Sequence, residues 1–297
     1  MQPLMNTPPI INPNGIDLVV PTRRDPEFAI ELMKNAGENP FWQQHTMLFV
    51  FDQDTTEVED DFRAWVRKAR EDLPLPWVLT TTAEPEARQN LAALRQQGVG
   101  MGVNPFVYFQ DDDDPLPSGM PRRIDLMQSQ GWDAVYGAVE TVTSRGQMIE
   151  RFPGINGSGQ FAYDPVAGSR WFPTYLHPLA ALFKRSVFEA VPYFDGNAYK
   201  MCDNAAFFTR LLFSGAKVTA LPDIVRRAVQ HDDNISEPIL NGWQRENLVH
   251  DMKVWRACIT DPAVAEFQDD VAAQLQDGLL STFKEIDALV EGKIEGF

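Results

Sequence analysis

Before Asp111 the chain alternates a short apolar run, stopped by a proline or by a polar or acidic residue, with an amphipathic stretch. The runs are residues 16–20, 46–51, 77–81 and 106–109. A bounded run of this length, rich in β-branched and aromatic side chains, reads as a strand buried on both faces. Between the runs, residues 26–36, 60–71 and 85–97 carry apolar side chains at helical spacing, the last with Pro85 at its start. Strand alternating with helix predicts an α/β fold: a Rossmann-type, mostly parallel central sheet with helices on both faces. Ligands of such sheets bind outside the carboxyl ends of the strands. Here those ends lead into Pro21-Thr22, Asp52 and the run Asp111-Asp112-Asp113-Asp114, so polar and acidic groups are expected on one rim.

The second half is less regular. Residues 133–139 read as a strand, 141–151 as a polar hairpin or its continuation, and 179–191 as a helix or a strand and then a helix. Residues 203–213 read as a helix ending at Gly215, and 217–221 as a further strand. Gly154, Gly157, Gly159 and Gly168 mark residues 154–171 as a candidate mobile loop. From about 262 to 291, two acidic amphipathic helices hinge near Gly278, suited to packing on the core or on a second copy of the chain. The expected division is a loose tail over 1–14, a main domain over 15–240 and a C-terminal helical extension over 241–297.

The charge balance removes several function classes. Lys and Arg number 26 against 42 Asp and Glu, a net −16, which weakens any reading that needs a broad basic face for nucleic acid or a membrane surface. No apolar stretch approaches the roughly 20 residues of a membrane span. Two distant cysteines, Cys202 and Cys258, supply neither a disulfide framework nor a four-cysteine zinc site, and fit a reducing, cytoplasmic setting.

The acidic run carries the strongest chemical signal. Four adjacent carboxylates repel one another. A hard divalent cation would relieve that repulsion, and Mg²⁺ or Mn²⁺ commonly bridges one or two carboxylates to substrate phosphates. A solvated acidic turn before Pro115 is the alternative.

Residues 107–117, an apolar strand, the Asp run and downstream prolines, resemble the DxD-containing segment of GT-A-fold glycosyltransferases, particularly the large inverting family 2. Other segments match in order. Val19-Val20-Pro21-Thr22 resembles the first-strand element, Val50-Phe51-Asp52 the second-strand element, and Ala87-Arg88-Gln89-Asn90 a helix start with Gln89 inserted. Ala181 to Phe188 followed by Tyr193-Phe194-Asp195 resembles a later stretch, with Val191-Pro192 where a glycine is common. Cys202-Asp203-Asn204 occupies the place of a two-acid motif, Cys202 standing for the usual Glu, and Val229-Gln230-His231 resembles a strand-end histidine. The likeness spans about residues 16–236.

The resemblance implies a metal-dependent inverting glycosyltransferase that moves a sugar from a nucleotide-sugar donor, a UDP-sugar first among them, to a hydroxyl acceptor. A nucleotide-sugar half of about 15–120 and an acceptor half of about 121–240 would follow. Pro21, Thr22, Arg24, Asp52, Arg88, Asp111 and Asp112 would hold the donor, and Asp113 and His231 the Mn²⁺ or Mg²⁺ cofactor. Asp203 would be the catalytic base that takes the acceptor's proton. Each role has a plainer counterpart: His231 as a loop histidine, Asp203 as a helix cap, Trp171, Phe172 and Tyr175 as core rather than a sugar platform. The pairs Arg23-Arg24, Arg122-Arg123 and Arg226-Arg227 would meet diphosphate or an anionic acceptor, or serve as surface charge. The acceptor stays open among small molecules, proteins and hydroxylated DNA bases, the last disfavoured by the acidic charge. No membrane partner is expected, and a homo-oligomer through the C-terminal helices is a further expectation. The competing readings are a nucleotidyltransferase, which would show a glycine-rich loop and lysine after the first strand, and a non-catalytic nucleotide-sugar-binding module.

Overall fold

The computed structural model describes residues 12–23, 26–53, 55–143, 146–152, 178–194, 196, 207, 210–211, 214 and 216–230. The expected tail through residue 11, the glycine-rich loop, the aromatic group after it, both cysteines and the C-terminal helices lie outside them. So do Arg24, Asp203 and all histidines except His45.

Strand β1 (Ile16–Thr22) lies at the centre of the first half with all seven residues buried. It pairs in parallel with β2 (Thr46–Phe51) and with β4 (Phe106–Phe109), and β2 pairs in parallel with β3 (Trp77–Thr82). Helices α1 (Pro26–Glu38), α2 (Glu57–Ala69) and α3 (Leu91–Met101) return the chain between these strands. The alternation read from the sequence is this arrangement.

The third helix starts later than its spacing suggests. Residues 85–87 form a single 3-10 turn, Gln89 takes a left-handed φ of 57°, and α3 begins only at Leu91. Asn90 caps the new helix, its side chain accepting from the Ala93 amide at 3.2 Å. Close to its other end, α3 lies tight on the sheet at Gly98, where a Cβ would collide with Val19 Cγ1 and press Val50 Cγ2 at 3.3 Å.

After α4 (Met120–Gln130) come β5 (Ala134–Thr143), β6 (Met148–Phe152), β7 (Ala181–Lys184), the short α5 (Val187–Ala190) and β8 (Val218–Gln230). The strand order is β3-β2-β1-β4-β7-β5-β6, with β8 pairing β5. Strand β7 enters antiparallel between β4 and β5, so the parallel half gives way to a mixed half. The hairpin expected over 141–151 is β5 with β6, and the segment 179–191 resolves into strand and then helix.

Strand β8 runs nine residues past the end read from the sequence, which stopped at Leu221 before Pro222. Its parallel register with β5 jumps from Tyr136↔Ala220 to Ala138↔Ile224, shifts again to Val139↔Arg226, and runs evenly from there to Thr143↔Gln230. The irregularity absorbs Pro222, which has no amide hydrogen for the ladder.

At the amino end of β1 sits a buried polar cluster. Asp17, fully buried, accepts from the Asn104 amide and side chain at 2.9 and 2.7 Å and pairs with Arg185. Burial raises its carboxyl above the ordinary range, with Arg185 and Asn104 opposing. The acidic rim lies at the opposite end of the strand.

Candidate active site

The register of the parallel strands builds the rim. Thr22 stands beside Phe51, and the Asp52 amide continues the ladder by donating to the Thr22 carbonyl at 2.8 Å. Strand β4 ends earlier, with Phe109 beside Val19 and the Gln110 amide donating to the Val19 carbonyl at 3.0 Å. The acidic turn therefore rises alongside Pro21 and Thr22, and the Thr22 hydroxyl donates to Asp112 Oδ2. Pro21, Thr22, Asp52, Asp111, Asp112 and Asp113 thus share one edge of the sheet.

Gln110 shapes the turn. Its side-chain nitrogen donates to the carbonyls of Asp111, Asp114 and Pro115 at 2.8, 3.0 and 3.4 Å, folding the backbone round one buried amide. Two arginines then orient the carboxylates. Arg226 on β8 reaches Asp114 Oδ2 with Nε at 2.6 Å and Asp111 Oδ2 with Nη2 at 2.7 Å. Arg95 on α3, 1% exposed, reaches the other oxygen of Asp111 at 3.4 Å and donates to the Tyr193 hydroxyl at 2.9 Å. Asp114 also accepts from the Val229 amide at 3.0 Å. Burial lifts the Asp114 carboxyl to about 6 against the pull of Arg226. For Arg226 burial works downward, but Asp114 and Asp111 outweigh it and hold the guanidinium above its ordinary value. It stays charged.

Asp52 is also engaged. Arg23 Nε lies 2.6 Å from it, and the Gln89 amide donates to its two oxygens at 3.0 and 3.2 Å. The left-handed Gln89 is fastened here, beside Arg88. Such a backbone costs of order 1 kcal/mol or more and persists where its surroundings fix it.

The arginine pairs divide between inside and outside. On β8, where successive side chains point to opposite faces, Arg226 turns in to the acidic turn while Arg227 pairs with Glu140 at 3.1 Å and is 60% exposed. On α4, Arg122 is exposed and Arg123 fully buried against Asp223 at 3.1 Å. The surface-charge reading therefore fails for Arg226 and Arg123. Sequence reasoning missed Arg95 and the roles of Gln110 and Gln89. One signal for Arg95 was present, a lone charge in the otherwise uncharged helix 91–101.

Among the described residues, no three His, Cys, Asp or Glu side chains gather as a ready-made cation cage. A carboxylate turn at a strand end still suits Mg²⁺ or Mn²⁺, which takes one or two carboxylates and completes its shell with substrate phosphates and water. No helix among the described residues is long and apolar enough to cross a membrane.

No protein-family model and no curated protein matches this chain. Solved structures do. Residues 1–349 of S. aureus TarS align over 93% of this chain and 72% of theirs, with a TM-score of 0.64 at 14% identity. The same TarS fragment in complex with UDP-GlcNAc gives 0.63 at 15% identity, covering 93% and 73%. The mannosyltransferase PcManGT from Pyrobaculum calidifontis, in complex with GDP-Man and Mn²⁺, gives 0.53 at 14% identity over 99% of this chain and 81% of that one. The chain has the GT-A fold.

Proposed function

We propose that this chain is a glycosyltransferase that moves a sugar from a nucleotide-sugar donor to a hydroxyl acceptor, with inversion at the anomeric carbon. One observation carries the reading: the hydrogen bond from Thr22 to Asp112 closes β1 and the acidic turn into a single rim at the carboxyl ends of the sheet. TarS and PcManGT, which share the fold, are bound to UDP-GlcNAc and to GDP-Man respectively.

In this reading Pro21, Thr22, Arg24, Asp52, Arg88, Asp111 and Asp112 hold the nucleotide. Asp52 does so as part of a unit with Arg23 and Gln89, since its carboxylate already serves both. Asp113 and His231 hold Mn²⁺ or Mg²⁺, which when bound offsets the charge of the departing diphosphate. Asp203 accepts the proton of the acceptor hydroxyl as that oxygen attacks the anomeric carbon. The acceptor is a hydroxyl compound of a class left open.

A thermal-shift series tests the reading. UDP-, GDP- and dTDP-sugars are added to the full chain with and without Mn²⁺. A donor at 100 times its Kd adds about 2.7 kcal/mol to stability, so one of them should raise Tm and then release its nucleoside diphosphate on turnover. Absence of a shift across all three would overturn the donor assignment.

A further inference from the structure

We infer that Arg226 is a positioning residue for the donor site, holding Asp111 and Asp114 in one guanidinium so that the acidic turn keeps the shape in which Asp112 meets Thr22. The inference rests on the proposed donor site and adds to it a residue from β8, a strand that belongs to the other half of the sheet.

The geometry is specific to arginine. Nε and Nη2 lie 2.6 and 2.5 Å from Asp114 Oδ2, and Nη2 also lies 2.7 Å from Asp111 Oδ2. A planar fork spans two carboxylates at once, whereas a lysine ammonium is a single compact charge on a flexible stem. The two acids differ in setting. Asp114 is 3% exposed and Asp111 31%, so Arg226 anchors the turn through its buried member and orients it through its open one.

Charge makes the anchor necessary. Four consecutive carboxylates would splay apart, and Gln110 fixes only the backbone carbonyls of the turn, not the direction of its acids. Arg226 and Arg95 approach opposite oxygens of Asp111. β8 is itself docked on the segment after the turn, where the Ser118 amide donates to the Val225 carbonyl at 3.1 Å and the Ser118 hydroxyl to that of Ile224 at 2.7 Å. The fork is therefore delivered from a fixed strand.

A purely stabilising ion pair would look similar in a structure, and the test separates the two. Arg226→Met alone leaves Asp114 buried without its partner charge and should lower Tm. Arg226→Met with Asp114→Asn leaves neither charge buried. Asparagine can still accept from the Val229 amide, and the uncompensated buried charge that makes breaking one side of such a pair costly is gone. The double variant should therefore regain most of the lost Tm. UDP and GDP, each with Mn²⁺, are titrated against the full-length proteins. The double variant is expected to bind at least tenfold more weakly than wild type despite its restored Tm, and Arg226→Lys several-fold more weakly. Wild-type affinity in the double variant would overturn the positioning role. If that variant does not fold, wild-type affinity in folded Arg226→Lys would do the same. Wild-type protein that binds neither nucleotide would overturn the donor reading, and this inference with it.

Discussion

The hydroxyl of Thr22, at the end of β1, donates to the carboxylate of Asp112, 90 residues away on the turn that follows β4. Thr22 is 1% exposed, so this contact joins a buried strand end to the open face of the rim. It forms because β4 stops short of β1, which leaves the acidic turn level with Thr22 rather than beyond it.

Thr22→Val keeps the β-branched shape and removes the hydroxyl. The hydrogen bond goes to a charged acceptor, but Asp112 is partly open to water and regains solvent. Stability should fall by about 1 kcal/mol. Affinity for the donor found in the thermal-shift series should fall by more than that change in stability explains. Equal donor affinity in the variant, by calorimetry, would detach Thr22 from the site.

Gly98→Ala sets helix propensity against packing. Alanine favours a helix over glycine by about 1 kcal/mol, yet its Cβ would meet Val19 Cγ1 on the sheet. Overpacking costs about 1–3 kcal/mol, so the variant should be less stable in denaturant titration, with the slope unchanged. A gain in stability would show that α3 can lift from β1 without penalty.

His45 provides a pH dependence. It is 3% exposed, accepts from the Ile16 amide at 3.2 Å, and packs edge-on to Phe41 at 4.3 Å. Burial lowers its pKa to about 4 from 6.5. Between these values the unfolded chain binds the proton and the folded chain does not, so stability is full above about 6.5 and is lost as the pH falls toward 4. The slope approaches 1.4 kcal/mol per pH unit, about 3 kcal/mol in all. His45→Asn, which keeps an acceptor for Ile16, should be less stable at pH 7 but flatter across this window. Parallel stability curves for wild type and variant would remove His45 as the cause.

Asp203→Asn separates base from cap. Asparagine caps a helix about as well as aspartate, so Tm and donor Kd should hold while turnover falls by about 10²–10⁴-fold. Near-normal turnover would remove Asp203 from the chemistry and leave the proposed transferase without its base.

Much of the first half was legible in the chain. The runs that became β1, β2, β3 and β4 are apolar enough to be buried on both faces, and they stop at a proline or a polar residue, so the parallel strands and the rim at their carboxyl ends follow together. Local competition blurred the detail. Asn90 can continue a helix or cap one, and only the fastening of Gln89 to Asp52 selects the cap. Pro222 ends a strand in any local reading, yet β8 passes through it because β5 offers a long edge on the far side.

What the sequence determined by itself is therefore short-range: hydrophobic period, stop signals, and the concentration of carboxylates after β4. What the tertiary structure decided is which of those carboxylates face solvent and which face a cation. Asp111 and Arg226 stand 115 residues apart, and nothing in either neighbourhood marks them as partners. They meet because β7 is inserted between β4 and β5, and β8 then pairs β5. Charge is a local property of the chain, but its partner is set by strand order, which depends on how all the strands bury their faces at once.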